Sequence, residues 1–472
     1  MALAVRLEAV IARHKLFWRD EGYGVAVACP APYAELALHG ARNEANAAPL
    51  YYLLEKLVVM HETRFDAGIL VRYRLVSLGA AAVTLLALYA GLLHRLGVTP
   101  ALLALASVLG QPIVHHYAAE NRAYMSWLCT LTVLVMVAAE AAARPWRELR
   151  AAGRLALAGA SLAVSLVATP GGVQAAAALA ACALVWRRDR DGAKAWPWLL
   201  PLAAAGIALS LLYSGASRWS HDARHLDLRR SPVAGYLVGQ VTELFVPLDA
   251  LSLAGHVLLA GGVAALAWLW RRRDAWTPTE RYAFALGLLA AAETALAPVF
   301  GFELARRGYF FLPRIFLYLV LGRALLIALG GWLLLSALGR LRRPMTRLGL
   351  ATAAVALAAL GVASGLDRLA QEAGERRSGY PWPRADQAAC ADWRGRLAIE
   401  VGPLPPADPA FAPNFLVRLG EELRRCGWGP SAETRHVRAL DDTGQEWFRM
   451  SAEPTPGAVP LEQCGRAVVL AP

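Results

Sequence analysis

Uncharged apolar runs of about 20 residues recur along this chain, the length a helix needs to cross the hydrocarbon layer of a bilayer. Nothing else in the sequence limits the fold as strongly. The runs begin near Leu75, Ala101, Met125, Leu155, Val173, Trp198, Leu251, Tyr282, Phe310 and Leu348. Over 472 residues, 57% of them hydrophobic, the apolar surface exceeds what a soluble core buries. Only helices or closed barrels satisfy their backbone in lipid, and run lengths near a helical span exclude a barrel. We therefore expect an all-α polytopic membrane protein with about ten transmembrane helices, or eleven if a first one is missing from the amino terminus.

The formal net charge of +12 raises the question of nucleic acid, and its distribution answers it. From Asp367 onward 13 Arg face 15 acidic residues, so the excess lies in the membrane part. There it falls in the links "RPWRELRAAGR", "RRDRDGAK", "RRRDAWTPTER" and "GRLRRPMTR", at every second turn between runs. Basic links at alternate turns are the positive-inside pattern and place these links in the cytoplasm, with no nucleic-acid partner. Alternation puts the loop from Phe17 to Val71, the segment "HHYAAENRAY", the stretch from Ser214 to Ala250 and the whole tail on the outer side.

Three regions follow: an amino-terminal segment with the first outer loop (1–71), a polytopic helical domain (72–366) and a small outer α/β appendage (367–472). "MALAVRLEAVIARHK" lacks the apolar core and cleavage site of a signal peptide, so a first spanning helix is expected to be absent. The alternative is a helix lying along the interface. Two short runs flank "TPGG" and predict a tight turn between short helices. Cys29, Cys390, Cys426 and Cys464 fall on the outer side. We expect one disulfide within the tail, with buried free thiols as the alternative.

The chemistry-bearing residues cluster at the outer face. "FWRDEGYG" presents Asp20 and Glu21, "AAPLYYLLEKL" follows with Tyr51 and Tyr52, and Arg72 and Arg74 open the next helix. A carboxylate at the water–lipid boundary suits a general base that takes a proton from a hydroxyl beside a lipid-borne group. A polyprenyl phosphate is a good leaving group, so an inverting glycosyl transfer needs one base and cationic donors for the departing charge. "HHYAAENRAYMSW" offers Tyr117, Glu120, Arg122 and Tyr124, where Arg forks onto phosphate and Tyr lies against a sugar ring. Arg314, directly after Pro313, sits just inside an apolar run, where a charge is costly unless it meets an anion or a wet cavity.

"LFWRDEGYG", "APLYYLLEKL", "RYRLVSLGAAAVTLLALYAGLLHRLG", "HHYAAENRAYM" and "FLPRIFLYL" occur in that order. Together they resemble the GT-C glycosyltransferases of the dolichyl-phosphate-mannose protein mannosyltransferase and aminoarabinose transferase group (glycosyltransferase family 39-like), over most of the chain to about Leu335. The resemblance implies sugar transfer from a polyprenyl phosphate at the outer face of the bacterial inner membrane, with inversion. It implies Asp20 as base, Glu21 as the second acid of the motif, and Arg122 and Arg314 near the donor phosphate. Arg72, Tyr117, Glu120 and Tyr124 complete the expected donor side, and Tyr51 and Tyr52 the acceptor side. The acceptor is an envelope lipid, glycan or protein. No cofactor is required, and a divalent cation held near Glu21 is compatible. Where relatives read His-Pro-Pro-Leu-Tyr-Tyr this chain reads "NAAPLYY", so any contact made by that His is missing.

Blander readings stand beside these. Asp20 and Glu21 also suit a helix cap, Glu120 with Arg122 an interfacial ion pair, and Arg314 a snorkelling cation. His221 and His225 have the spacing of metal ligands but lack a third. A transporter or flippase without bond chemistry is the alternative function, and it should carry midplane ionisable groups or an internal repeat.

Overall fold

The computed structural model describes residues 2–14, 32–40, 48–59, 69–187, 189, 192–216, 250–306, 316–339 and 344–377, with short strands between 439 and 468. Among the described residues four helices precede the first long span: α1 (Ala2–His14), α2 (Tyr33–His39), α3 (Pro49–Val59) and α4 (Ile69–Tyr73). The bundle follows as α5 (Leu75–Leu96), α6 (Val98–Leu109), α7 (Pro112–Ala118), α8 (Ala123–Ala142), α9 (Ala151–Val167) and α10 (Gly171–Trp186). It continues with α11 (Trp196–Ala216), α12 (Ala250–Arg271), α13 (Pro278–Arg306), α14 (Leu319–Leu338) and α15 (Pro344–Arg377). Near the carboxyl terminus β1 (Ala439–Leu440) pairs antiparallel with β2 (Glu446–Phe448), and β3 (Leu461–Gln463) with β4 (Arg466–Val468).

Among the described residues seven helices, α5, α8 and α11 to α15, are long and apolar enough to cross a membrane. The protein is a multi-pass membrane protein. α6 and α7 join across a 73° bend, where Pro112 opens α7 at a position that needs no backbone N–H. α9 and α10 are the short pair expected around "TPGG". Two boundaries differ from the reading of the sequence. α14 begins at Leu319, because Phe316 to Tyr318 form a tight turn ahead of it. α15 runs on to Arg377, past the domain boundary drawn at 366, since nothing in its last turns breaks a helix. Gly97, at φ 92°, ends α5 and returns the chain into α6, with its N–H donated to the carbonyls of Leu92 and Leu93.

Helix association in lipid rests on close packing of small residues. α12 and α14 approach until Gly262 lies on the carbonyl of Leu326 and Gly330 on that of Leu258, with no room for a Cβ at either. Gly361 and Gly365, four apart on α15, lie where an added Cβ would stand 2.9 Å from Ala106 and 2.8 Å from Leu109 of α6. α8 and α14 are the innermost spans, while α11, α12 and α15 face outward. A buried polar chain crosses the bundle: Trp127 Nε1 donates to Gln174 Oε1 (2.6 Å), and Gln174 Nε2 donates to Glu293 Oε2 (2.8 Å). It ties α8, α10 and α13 together, since such groups have no water to turn to.

Charged pairs gather at the end of the bundle that carries the basic links. Arg95 forks onto Glu140, which also meets Arg144 at 3.1 Å. Arg281 holds Asp189 through two bonds of 2.8 and 2.9 Å.

Glycine contacts this tight make a test. Gly262→Ala and Gly330→Ala should each destabilise the protein by about 1–3 kcal/mol through overpacking. Gly79→Ala, where a Cβ meets nothing within 4 Å, should change little. Thermal unfolding in detergent, read by tryptophan fluorescence, separates the three.

Candidate active site

At the opposite end from the charged links, the turn between α7 and α8 carries Glu120, Asn121 and Arg122, all buried. Arg122 is the extended residue that opens α8, and Ser77 Oγ of α5 donates to its carbonyl at 3.2 Å. α3 supplies the other wall. Tyr51 and Glu55 are one turn apart on the same face of α3, the spacing at which two side chains meet a common partner. That partner is Asn121: Tyr51 Oη donates to its Oδ1 at 2.7 Å, and its Nδ2 donates to Glu55 Oε1. Tyr52 is buried with its ring edge-on to Tyr51, centroids 5.3 Å apart.

An aromatic run continues from this corner. His116, Tyr117 and Tyr124 follow one another at ring separations of 4.9 and 5.2 Å, and the Arg122 guanidinium lies 5.9 Å from the Tyr124 centroid. His116 Nε2 meets Glu120 Oε1 at 2.8 Å, while its neighbour His115 turns away to Glu8 of α1 at 3.0 Å and the Leu109 carbonyl at 2.7 Å. Adjacent helical residues diverge in this way, and the two imidazoles serve different neighbours. Arg74 is fully buried and donates to the Ala12 carbonyl, which anchors α1 against the start of α5. Arg72, two residues earlier, is half-buried. Lys56 of α3 lies 5.3 Å from the Tyr33 ring centroid, and burial pushes its ammonium below the usual lysine range.

The structure thus brings Tyr51, Tyr52, Tyr117, Glu120, Arg122 and Tyr124 to one end of the bundle. Asp20, Glu21 and Arg314 lie outside the described residues, as do His221, His225, Cys29, Cys390, Cys426 and Cys464. Glu55 and Asn121 were not singled out from the sequence. The signal was present in "YYLLEKL", where a carboxylate four residues after a tyrosine shares the buried face of an amphipathic helix. Among the described residues no three His, Cys, Asp or Glu side chains converge on one point as a metal site would need.

No protein-family model matches the chain, and no characterised protein matches it significantly by sequence. Solved structures do. ArnT from Cupriavidus metallidurans bound to undecaprenyl phosphate superposes with a TM-score of 0.52 at 14% identity, covering 95% of this chain and 96% of its own. Its apo state gives 0.53 at 16% identity, covering 95% of each chain. The chain has the GT-C fold. The likeness covers 95% of the chain. Arabinosyltransferase EmbB from Mycobacterium smegmatis matches at a TM-score of 0.37 and 15% identity, covering 90% of this chain and 41% of its own.

Asn121 is the hub of the described corner, which sets an order of effects. Asn121→Ala removes two buried bonds at once and should cost roughly 1–3 kcal/mol for each group left short. Tyr51→Phe removes one and should cost about 1 kcal/mol. Thermal unfolding of the purified variants checks the order, and equal losses would show that α3 is not held through Asn121.

Proposed function

We propose that the protein is an inverting glycosyltransferase that moves a sugar from a polyprenyl-phosphate donor to a hydroxyl acceptor at the periplasmic face of a bacterial inner membrane. One observation carries the reading: ArnT, whose fold the chain shares over 95% of its length, is bound to undecaprenyl phosphate. The cationic and aromatic corner at one end of the bundle is consistent with it, since a departing phosphate needs donors and a sugar needs flat apolar faces.

Asp20 takes the proton of the acceptor hydroxyl as its oxygen attacks the anomeric carbon. The carbon–oxygen bond to the phosphate breaks on the opposite face, and the polyprenyl phosphate leaves with the electron pair. Arg122 and Arg314 hold its charge, assisted by Arg72, while Glu120 positions His116 beside them. Glu21 orients the acceptor. Tyr117 and Tyr124 flank the donor sugar, and Tyr51 and Tyr52 form the wall nearest the acceptor. Lys56 takes the place of a cation that the "NAAPLYY" stretch does not supply.

The test is the envelope glycan profile, by mass spectrometry, of a deletion strain complemented with wild type, Asp20→Asn or Arg122→Gln at equal abundance. Wild type should restore one sugar increment. Asp20→Asn should lose it, since general-base catalysis contributes about 10²–10⁴-fold, and Arg122→Gln should weaken it less. Equal restoration by Asp20→Asn would overturn the mechanism and bring a carrier without bond chemistry to the front.

A further inference from the structure

A second polar site lies against α14, on residues that the corner at Asn121 does not use. α6, α12, α14 and α15 enclose a cavity of about 110 Å³, well above the roughly 10–15 Å³ that one water needs. Arg323 of α14 and Arg368 of α15 both line it. Arg323 is only 7% exposed although it lies on the second turn of a membrane-spanning helix, and Arg368 is at the exposed rim. Ser107, Gln111 and Ser364 add polar atoms to the wall. A guanidinium at membrane depth pairs within the protein, lines a wet cavity or marks a ligand site.

Glycine makes the room. A Cβ on Gly255 of α12 would stand 3.9 Å from Arg323 Nη2 and 3.9 Å from Ile327 Cδ1, so a long side chain there would fill the space. The cavity also opens sideways. α12 and α15 each pack on α6 or α14 but scarcely touch each other, and Leu357 of α15, which lines the cavity, stands exposed. An occupant that suits both the guanidiniums and the gap combines an anionic head with apolar chains that leave between α12 and α15. Guanidinium forks match phosphate oxygens in particular.

The membrane end is the same as that of the candidate active site. Gln111 stands at the bend into α7, which leads to Glu120, and the Tyr318 ring just ahead of α14 packs 5.4 Å from Trp127 near the start of α8. The face differs: five residues separate Tyr318 from Arg323, or about 140° around a helix. We propose that this cavity is a second lipid site, which holds the phosphate headgroup of a membrane lipid between Arg323 and Arg368 with its acyl chains emerging between α12 and α15. The site is separate from the donor corner and does not depend on sugar transfer.

Native mass spectrometry of the full chain in detergent tests it, with dioleoyl phosphatidic acid as probe and dioleoylglycerol as its phosphate-free control. The expected result is one phosphatidic acid per chain, bound at least tenfold more tightly than dioleoylglycerol. Arg368→Gln, at the exposed rim, should weaken it about fivefold. Arg323→Gln should weaken it tenfold or more, and so should Gly255→Leu, which keeps both guanidiniums and only fills the cavity. Unchanged affinity in Arg368→Gln and Gly255→Leu would overturn the proposal. Displacement by millimolar inorganic phosphate would make this a free-anion site, and one-for-one displacement by undecaprenyl phosphate would make it the donor's own. Either outcome rejects a second lipid site and leaves the transferase reading to its own experiment.

Discussion

Backbone against backbone, across glycine, is the contact on which this bundle depends. In lipid the apolar surface of one helix gains nothing by leaving lipid for another helix, so association rests on close approach and on the few polar groups that find partners inside. Gly262 and Gly330 bring α12 onto α14, and Gly361 and Gly365 bring α15 onto α6. Those two contacts also set the spacing of the four helices around the Arg323 cavity. One packing device thus holds the scaffold together and leaves a gap within it.

Polar groups then divide by position along the helices. At one end, paired charges such as Arg281 with Asp189 close the links between spans. At the other, hydrogen bonds join elements far apart in sequence: Asn121 reaches back to Tyr51 and Glu55, and Arg74 to Ala12. The first kind also joins distant residues, 92 apart for Arg281 and Asp189, and ties one link to another. The second shapes a surface, because it fixes a short helix from the first loop against the start of α8. Beside it Ser77 of α5 holds the Arg122 carbonyl, and the Arg122 guanidinium lies by the Tyr124 ring.

Much of this was legible in advance, for particular reasons. Apolar runs gave the helices from Leu75 onward because hydrophobic length is a local property, and the "TPGG" turn followed from residues that punctuate structure wherever they occur. The start of α14 at Leu319 was not legible, because hydropathy cannot distinguish the apolar turn at Phe316 to Tyr318 from an apolar helix. The roles of Glu55 and Asn121 were missed since each looks like an ordinary loop or surface residue until α3 is laid on the turn before α8. Arg323 was passed over for the opposite reason, as one cation within a long apolar stretch whose neighbours are all distant in sequence.

The sequence by itself determined that the chain is helical, that it crosses a membrane many times, and which ends of its helices carry the basic links. It could do so because the bilayer imposes one rule on every segment separately: satisfy the backbone internally and keep charge out of hydrocarbon. Tertiary structure alone decided which buried groups meet. Glu55 shares Asn121 with Tyr51, Glu293 takes its bond from Gln174, and Arg323 opens onto the same cavity as Arg368. Those juxtapositions depend on how closely glycines let the helices approach and on how far each helix is rotated, and no single segment encodes either.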